Sequence, residues 1–200
     1  MRFVLGPIPS NNVYSPAKGD WTPLREPSSA KFSIQVLLIS LPLVVFSIAI
    51  LQQVKGNLRS NPVQLVALLS FFALMIPVHE LIHGFAYPGG LRSKYLVMGA
   101  WLQRGLFYVL YDSPLPRNRV LFMLVAPFLV FTMSLVVLIW LAPDAWRMLG
   151  VLALLIHTAV CFGDFLTLTR ILRQVPADSQ VLNDGWFTYW KPMLNGKVSA

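Results

Sequence analysis

The chain is expected to be an all-α integral membrane protein of four transmembrane helices, with a short β-hairpin in the cytoplasmic-side loop between the second and third. Three observations predict this. Hydrophobic residues make up 56% of the 200 positions and charged residues only 12%. Several apolar runs exceed the roughly 20 residues needed to cross the hydrocarbon core of a bilayer. The charges fall almost entirely between those runs.

Taken in order, residues 1–31 form a polar, proline-bearing tail. Its stretch from Pro7 to Lys31 lacks the short basic start and small-residue cleavage site of a secretory signal, so it is expected to persist as a cytoplasmic tail. The first span covers Phe32 to Val54 and the second Val63 to Tyr87, the latter introduced by Asn61 as a cap and Pro62 at the first helical position. The third runs from Val120 to Ala142 and the fourth from Ala145 to Leu172, with Asp144 placed to cap it. Pro42, Pro77 and Pro127 fall inside spans, where each removes a backbone donor and is expected to kink its helix.

Between the second and third spans, Tyr95 to Leu102 and Leu106 to Tyr111 are rich in aromatic and β-branched residues. They flank Gln103-Arg104-Gly105, which reads as a hairpin near the membrane surface. An exposed edge of that hairpin would hold an extended peptide by strand addition; the alternative is a hairpin merely packed on the bundle. Residues 32–175 thus make one four-helix domain, and residues 176–200 a cytoplasmic C-terminal segment. In that segment Pro176 to Trp190 reads either as an aromatic interfacial belt or as a flap over the site.

A net charge of +8 raises the question of nucleic acid, but the basic residues sit beside span ends rather than in an aromatic-interleaved stripe. No nucleic-acid partner is expected. The cations report topology instead: thirteen lie in the N-terminal tail, the second loop and the C-terminal end, against Lys55, Arg59 and Arg147 on the other side. The positive-inside rule then puts both termini in the cytoplasm. The one cysteine, Cys161, closes no intrachain disulfide and is expected to be a small buried hydrophobe.

The chemistry is carried by His79-Glu80-Leu81-Ile82-His83 in the second span. On a helix, positions i and i+4 share a face, so the two imidazoles suit one Zn²⁺ while Glu80, one position round, suits a general base acting on a Zn-activated water. A catalytic zinc usually takes three protein ligands, so another donor is needed. Of the eight carboxylates only Glu80 and Asp164 lie within spans. Counted from the same side of the membrane, His79, His83 and Asp164 all lie roughly 25 to 32 Å down their helices. Asp164 is therefore the expected third ligand. His157 is its rival, seven residues earlier on the same helical face and about 10 Å higher by helical rise, so that a straight helix lets one or the other bind but hardly both. Otherwise His157 is a supporting hydrogen-bond partner or a polar group facing the cavity.

The activity read from these residues is zinc-dependent hydrolysis within a membrane, with a membrane-protein or peptide substrate. The alternative is a non-catalytic protein that binds a metal structurally or carries it across the bilayer. A transport path would need polar residues through the other leaflet, and the first and third spans hold few besides Gln35, Gln52, Gln53, Ser and Thr. Haem ligation by His157 with His79 or His83 is chemically allowed but leaves Glu80 and Asp164 unexplained.

His79-Glu-Leu-Ile-His83, followed by Gly84-Phe-Ala-Tyr-Pro88, then Ala126-Pro127-Phe128 with Thr132, and His157 with Gly163-Asp164, resembles a small bacterial membrane family. It is the family described as putative zincin peptidases, a domain of unknown function, and is similar to the site-2 proteases, which are intramembrane metalloproteases. The resemblance covers roughly residues 60 to 190. It implies His79 and His83 as zinc ligands, Glu80 as general base and Asp164 as third ligand. Where site-2 proteases carry Asn/Leu-Asp-Gly, this chain has Gly163-Asp164-Phe165.

Overall fold

In a computed structural model, which describes residues 1–11 and 13–193, five helices and seven short strands follow one another along the chain. Helices α1 (Ser29–Ser60), α2 (Pro62–Ala86) and α3 (Arg117–Leu141) are each long and apolar enough to cross a membrane. Their outward faces present bare aliphatic side chains such as Leu37, Leu69 and Met133. In water such faces would be an aggregation liability; against lipid they are the expected solvent-facing surface. At the start of α2 the side-chain oxygen of Asn61 accepts from the backbone N–H of Val63 and Gln64, at 3.2 and 3.3 Å. Pro88 ends the helix, because the residue before a proline is pushed out of the helical region; Tyr87 accordingly sits at φ −70°, ψ 152°.

The fourth span differs from expectation. It is two helices, α4 (Asp144–Val160) and α5 (Phe162–Gln174), bent by 41° at Cys161. Among the described residues, the count of candidate spans is three, or four if the bent pair is one crossing. Asp144 does not cap α4 either. Pro143 holds the cap position, while Asp144 lies in the first turn, where the helix dipole favours a carboxylate, and pairs with Arg147 at 2.7 Å.

The all-α expectation is corrected by two small sheets. The hairpin forms where the sequence places it, as β3 (Leu96–Trp101) and β4 (Leu106–Tyr111), paired from Leu96↔Tyr111 to Trp101↔Leu106. A third strand, β1 (Arg2–Leu5), joins β3 in parallel, leaving β4 at the sheet edge. The second sheet has the order β2-β7-β6-β5, from β2 (Thr22–Pro23), β5 (Leu115–Pro116), β6 (Ser179–Asp184) and β7 (Phe187–Pro192). Both regions read from sequence as tails therefore supply strands. The two to six residues of each carry too little periodicity to announce a strand; β1, β2 and β5 pair with partners far away in sequence, while β6 and β7 form a local hairpin around Gly185 and Trp186.

Beneath the sheets, Leu24, Leu96, Tyr111, Leu115, Val120, Met123, Ile171, Val175 and Val181 form one buried cluster that ties the strands to the ends of α3 and α5. The N-terminal segment is held there by polar contacts. Glu26 accepts from the Thr188 backbone N–H at 2.8 Å and from its hydroxyl at 3.0 Å. Burial pushes the Glu26 carboxyl above its ordinary range, opposed by those two Thr188 donors and by Arg170. Gln174 accepts from the N–H of Arg25 and donates to its carbonyl.

Gly99 lies opposite Tyr108 across the hairpin, and the tyrosine ring occupies the space a side chain would need. The Tyr108 hydroxyl donates to the carbonyls of Gly6 and Pro7, both at 3.3 Å, which fastens the end of β1. Gly99→Val should evict that ring, lower stability by about 1–3 kcal/mol as overpacking typically does, and speed proteolysis of the first ten or so residues in detergent. An unchanged melting temperature and cleavage pattern would contradict the packing described.

Candidate metal centre

A histidine pair at i and i+4 on α2 shares a face by helical geometry alone. In the structure that face turns inward, and His79 and His83 are both buried. The bent α4–α5 pair supplies the carboxylate: Asp164 Oδ2 lies 3.1 Å from His79 Nε2 and 3.4 Å from His83 Nε2. The three residues form a group whose ligand atoms all lie within 4.8 Å of one another.

Hydrogen bonding fixes which nitrogens face inward. His83 Nδ1 lies 2.9 Å from the backbone carbonyl of Met123, an acceptor, so Nδ1 carries the proton and donates it. In the neutral ring Nε2 then offers a lone pair toward Asp164. His79 likewise turns Nε2 to Asp164 and sets Nδ1 3.3 Å from His157 Nε2. The His83 lone pair facing a carboxylate oxygen, within an apolar bundle, is repelled by it unless a proton or a metal cation lies between them. The spacing suits the metal: donors about 2.0–2.1 Å from a tetrahedral zinc are separated by about 3.3 Å. The residues present therefore fit the group.

A straight helix was expected to let only one of Asp164 and His157 bind the metal; here both reach His79, Asp164 at Nε2 and His157 at Nδ1. The 41° bend at Cys161 is the reason, since it swings the start of α5 relative to the last turn of α4. His157 is wholly buried, its ring stacked on Phe131 at 4.0 Å between centroids, with Cys161 Sγ 3.6 Å from its Nε2. A second group, His79 with His157 and Cys161, also has metal-ligating atoms within 4.8 Å. It competes with the first for His79, whose Nδ1 is engaged by His157.

Glu80 lies one position round α2 and makes no hydrogen bond among the described residues. It lines a cavity of about 410 Å³ together with His79, His83 and Asp164. Much of the rest of the wall comes from the hairpin and the C-terminal segment, which the sequence offered as a peptide-holding edge and as one of two readings, a flap over the site. Tyr87 and Thr167 contribute, residues 105–109 on and beside β4 form one side, and Asn183, Trp186 and Thr188 of the C-terminal hairpin another. The C-terminal segment thus covers the cavity. Tyr87 was detectable in principle, being four residues past His83; the others depend on long-range pairing.

With zinc chelation as their shared task, His79 and Asp164 should be indispensable: His79→Ala and Asp164→Ala are expected to abolish near-stoichiometric zinc in detergent-purified protein. His157→Ala should retain zinc with roughly 10- to 100-fold weaker affinity, the usual effect of losing a ligand's supporting partner. Elemental analysis with chelator competition measures both, and loss of zinc in His157→Ala alone would exchange the two roles.

Comparison with curated proteins and with solved structures gives no match. Comparison with protein families does: residues 72–180 match the family described as "Putative zincin peptidase". That stretch is more than half of the chain and contains both histidines, Glu80, His157 and Asp164, and the chain therefore belongs to that family of metallopeptidase-like proteins.

Proposed function

We propose that this protein is a zinc-dependent intramembrane metalloprotease, similar to the site-2 proteases, that hydrolyses peptide bonds of membrane-embedded or membrane-proximal substrates. His79, His83 and Asp164 are its metal ligands and Glu80 its general base. The observation that carries this reading is the convergence of three ligand atoms, two of their separations being 3.1 and 3.4 Å against the roughly 3.3 Å that a tetrahedral zinc sets, on a cavity that also holds a glutamate with no hydrogen-bond partner among the described residues. Zinc bound there supplies Lewis-acid polarisation of the scissile carbonyl and makes water nucleophilic near neutral pH.

The chain's own residues do the rest. Glu80 accepts a proton from the attacking water and passes it to the leaving amine as the C–N bond breaks. Met123, through its carbonyl, holds His83 in the tautomer that presents Nε2. The free edge of β4 borders the cavity, and an extended peptide paired along it would lie beside Glu80 with its backbone donors satisfied. An unwound segment is what the chemistry needs, because helical hydrogen bonds shield the carbonyl. Access from the lipid is supported by a groove of about 690 Å³ along α1, which shares Phe32, Leu106, Val160, Gly163 and Trp186 with the site cavity.

Two outcomes test the reading. Glu80→Gln should keep zinc yet lose cleavage of co-expressed single-span reporter proteins by at least about 10²-fold. Undiminished cleavage would remove Glu80 from its role, and a zinc-loaded wild type that cleaves nothing would favour the non-catalytic metal-binding alternative. For orientation, a membrane-impermeant maleimide should label Lys55→Cys on intact cells but Asp178→Cys only after permeabilisation; the reverse pattern would invert the topology.

A further inference from the structure

We propose that Tyr87 is a further catalytic residue, whose phenolic O–H donates a hydrogen bond to the carbonyl oxygen that gains negative charge during peptide hydrolysis. The proposal rests on the metallopeptidase reading above and adds the electrophilic partner that reading lacks. When the water oxygen adds to the carbonyl carbon, its proton goes to Glu80 and the π-electron pair moves to the carbonyl oxygen. A preorganised donor aimed at that oxygen is among the largest single contributions to such reactions. Tyr87 keeps its proton throughout.

Placement comes from the helix and its ending. Tyr87 is four residues past His83 and seven past Glu80, so it continues the face of α2 that carries the site. Pro88 turns the chain out of the helix at that residue, and the side chain joins the wall of the cavity that holds Glu80, His83 and Asp164. The ring is fixed while the hydroxyl is free. Tyr87 stacks on Tyr111 at 5.0 Å with the planes 10° apart. Tyr111 is itself tied down, donating to the Pro88 carbonyl and accepting from Ser93, each at 3.2 Å. The Tyr87 hydroxyl has no hydrogen-bond partner among the described residues.

Three other hydroxyls of the wall are already committed, that of Tyr108 to the carbonyls of Gly6 and Pro7. Thr167 donates its hydroxyl to the Gly163 carbonyl and Thr188 donates to Glu26. Asn183 is carried on the covering hairpin rather than on the metal-binding helix.

The test uses zinc-loaded, detergent-solubilised full-length protein and the tetrahedral anionic mimic N-phosphoryl-Leu-Trp, with binding read by calorimetry. Tyr87→Phe keeps the stacked ring and removes only the donor. It should bind zinc and melt as wild type does, yet bind the mimic roughly 30- to 100-fold more weakly, as expected for loss of one hydrogen bond to a charged oxygen. Tyr87→His, which restores a donor, should recover part of the loss. Equal binding of the mimic by wild type and Tyr87→Phe overturns the role of Tyr87 while leaving the metal site standing. Failure of wild type to take up zinc overturns the metallopeptidase reading, and this proposal with it.

Discussion

Polar and ionisable groups set among apolar helices are costly unless they satisfy one another. In this protein that constraint falls on His79, His83 and Asp164, and much of the architecture can be read as the means of meeting it. Two helices must face each other at one level, with the histidine face of α2 inward and α5 beginning beside it. The contacts of 3.1 and 3.4 Å from Asp164 to the two imidazoles are the result.

The break at Cys161 is the feature that makes the cluster possible. An unbroken helix would hold His157 and Asp164 two turns apart on one face. Bending it lets both meet one imidazole, Asp164 at Nε2 and His157 at Nδ1. His157 is wedged between Phe131 and Cys161, in contact with the His79 ring. Hydrogen-bond partners of a metal-binding histidine are usually carboxylates or backbone carbonyls. Here one histidine is supported by the Met123 carbonyl and the other by an imidazole.

The two sheets complete the enclosure from one end of the bundle. They are fixed to the helices by a buried cluster that includes Val120 and Met123 on α3 and Ile171 on α5, so the walls that shape the cavity are anchored to the same helix ends that flank the ligands. The β6–β7 hairpin carries Trp186, whose ring meets Phe32 of α1 edge to face at 6.0 Å. That pair stands where the lipid-facing groove and the site cavity share a wall.

By itself the sequence determined the long helices and the histidine pair. Twenty-odd apolar residues have one stable conformation in lipid, and the i, i+4 spacing puts two imidazoles on one face whatever surrounds them. It also placed the β3–β4 hairpin, because strand propensity on both sides of Gln103-Arg104-Gly105 is local information. The tertiary structure decided the rest. Whether α4 and α5 form one straight helix depends on packing rather than on any residue near Cys161 that forbids continuation, and so does the approach of both Asp164 and His157 to His79. Strands β1 and β2 exist only because partners distant in sequence offer them ladders, whereas β6 pairs mainly with its hairpin neighbour β7, and segments that read as tails became walls. Tyr87 shows the boundary between the two: its position on the histidine face is sequence arithmetic, but the stacked Tyr111 that holds its ring comes from a strand pairing that only the fold supplies.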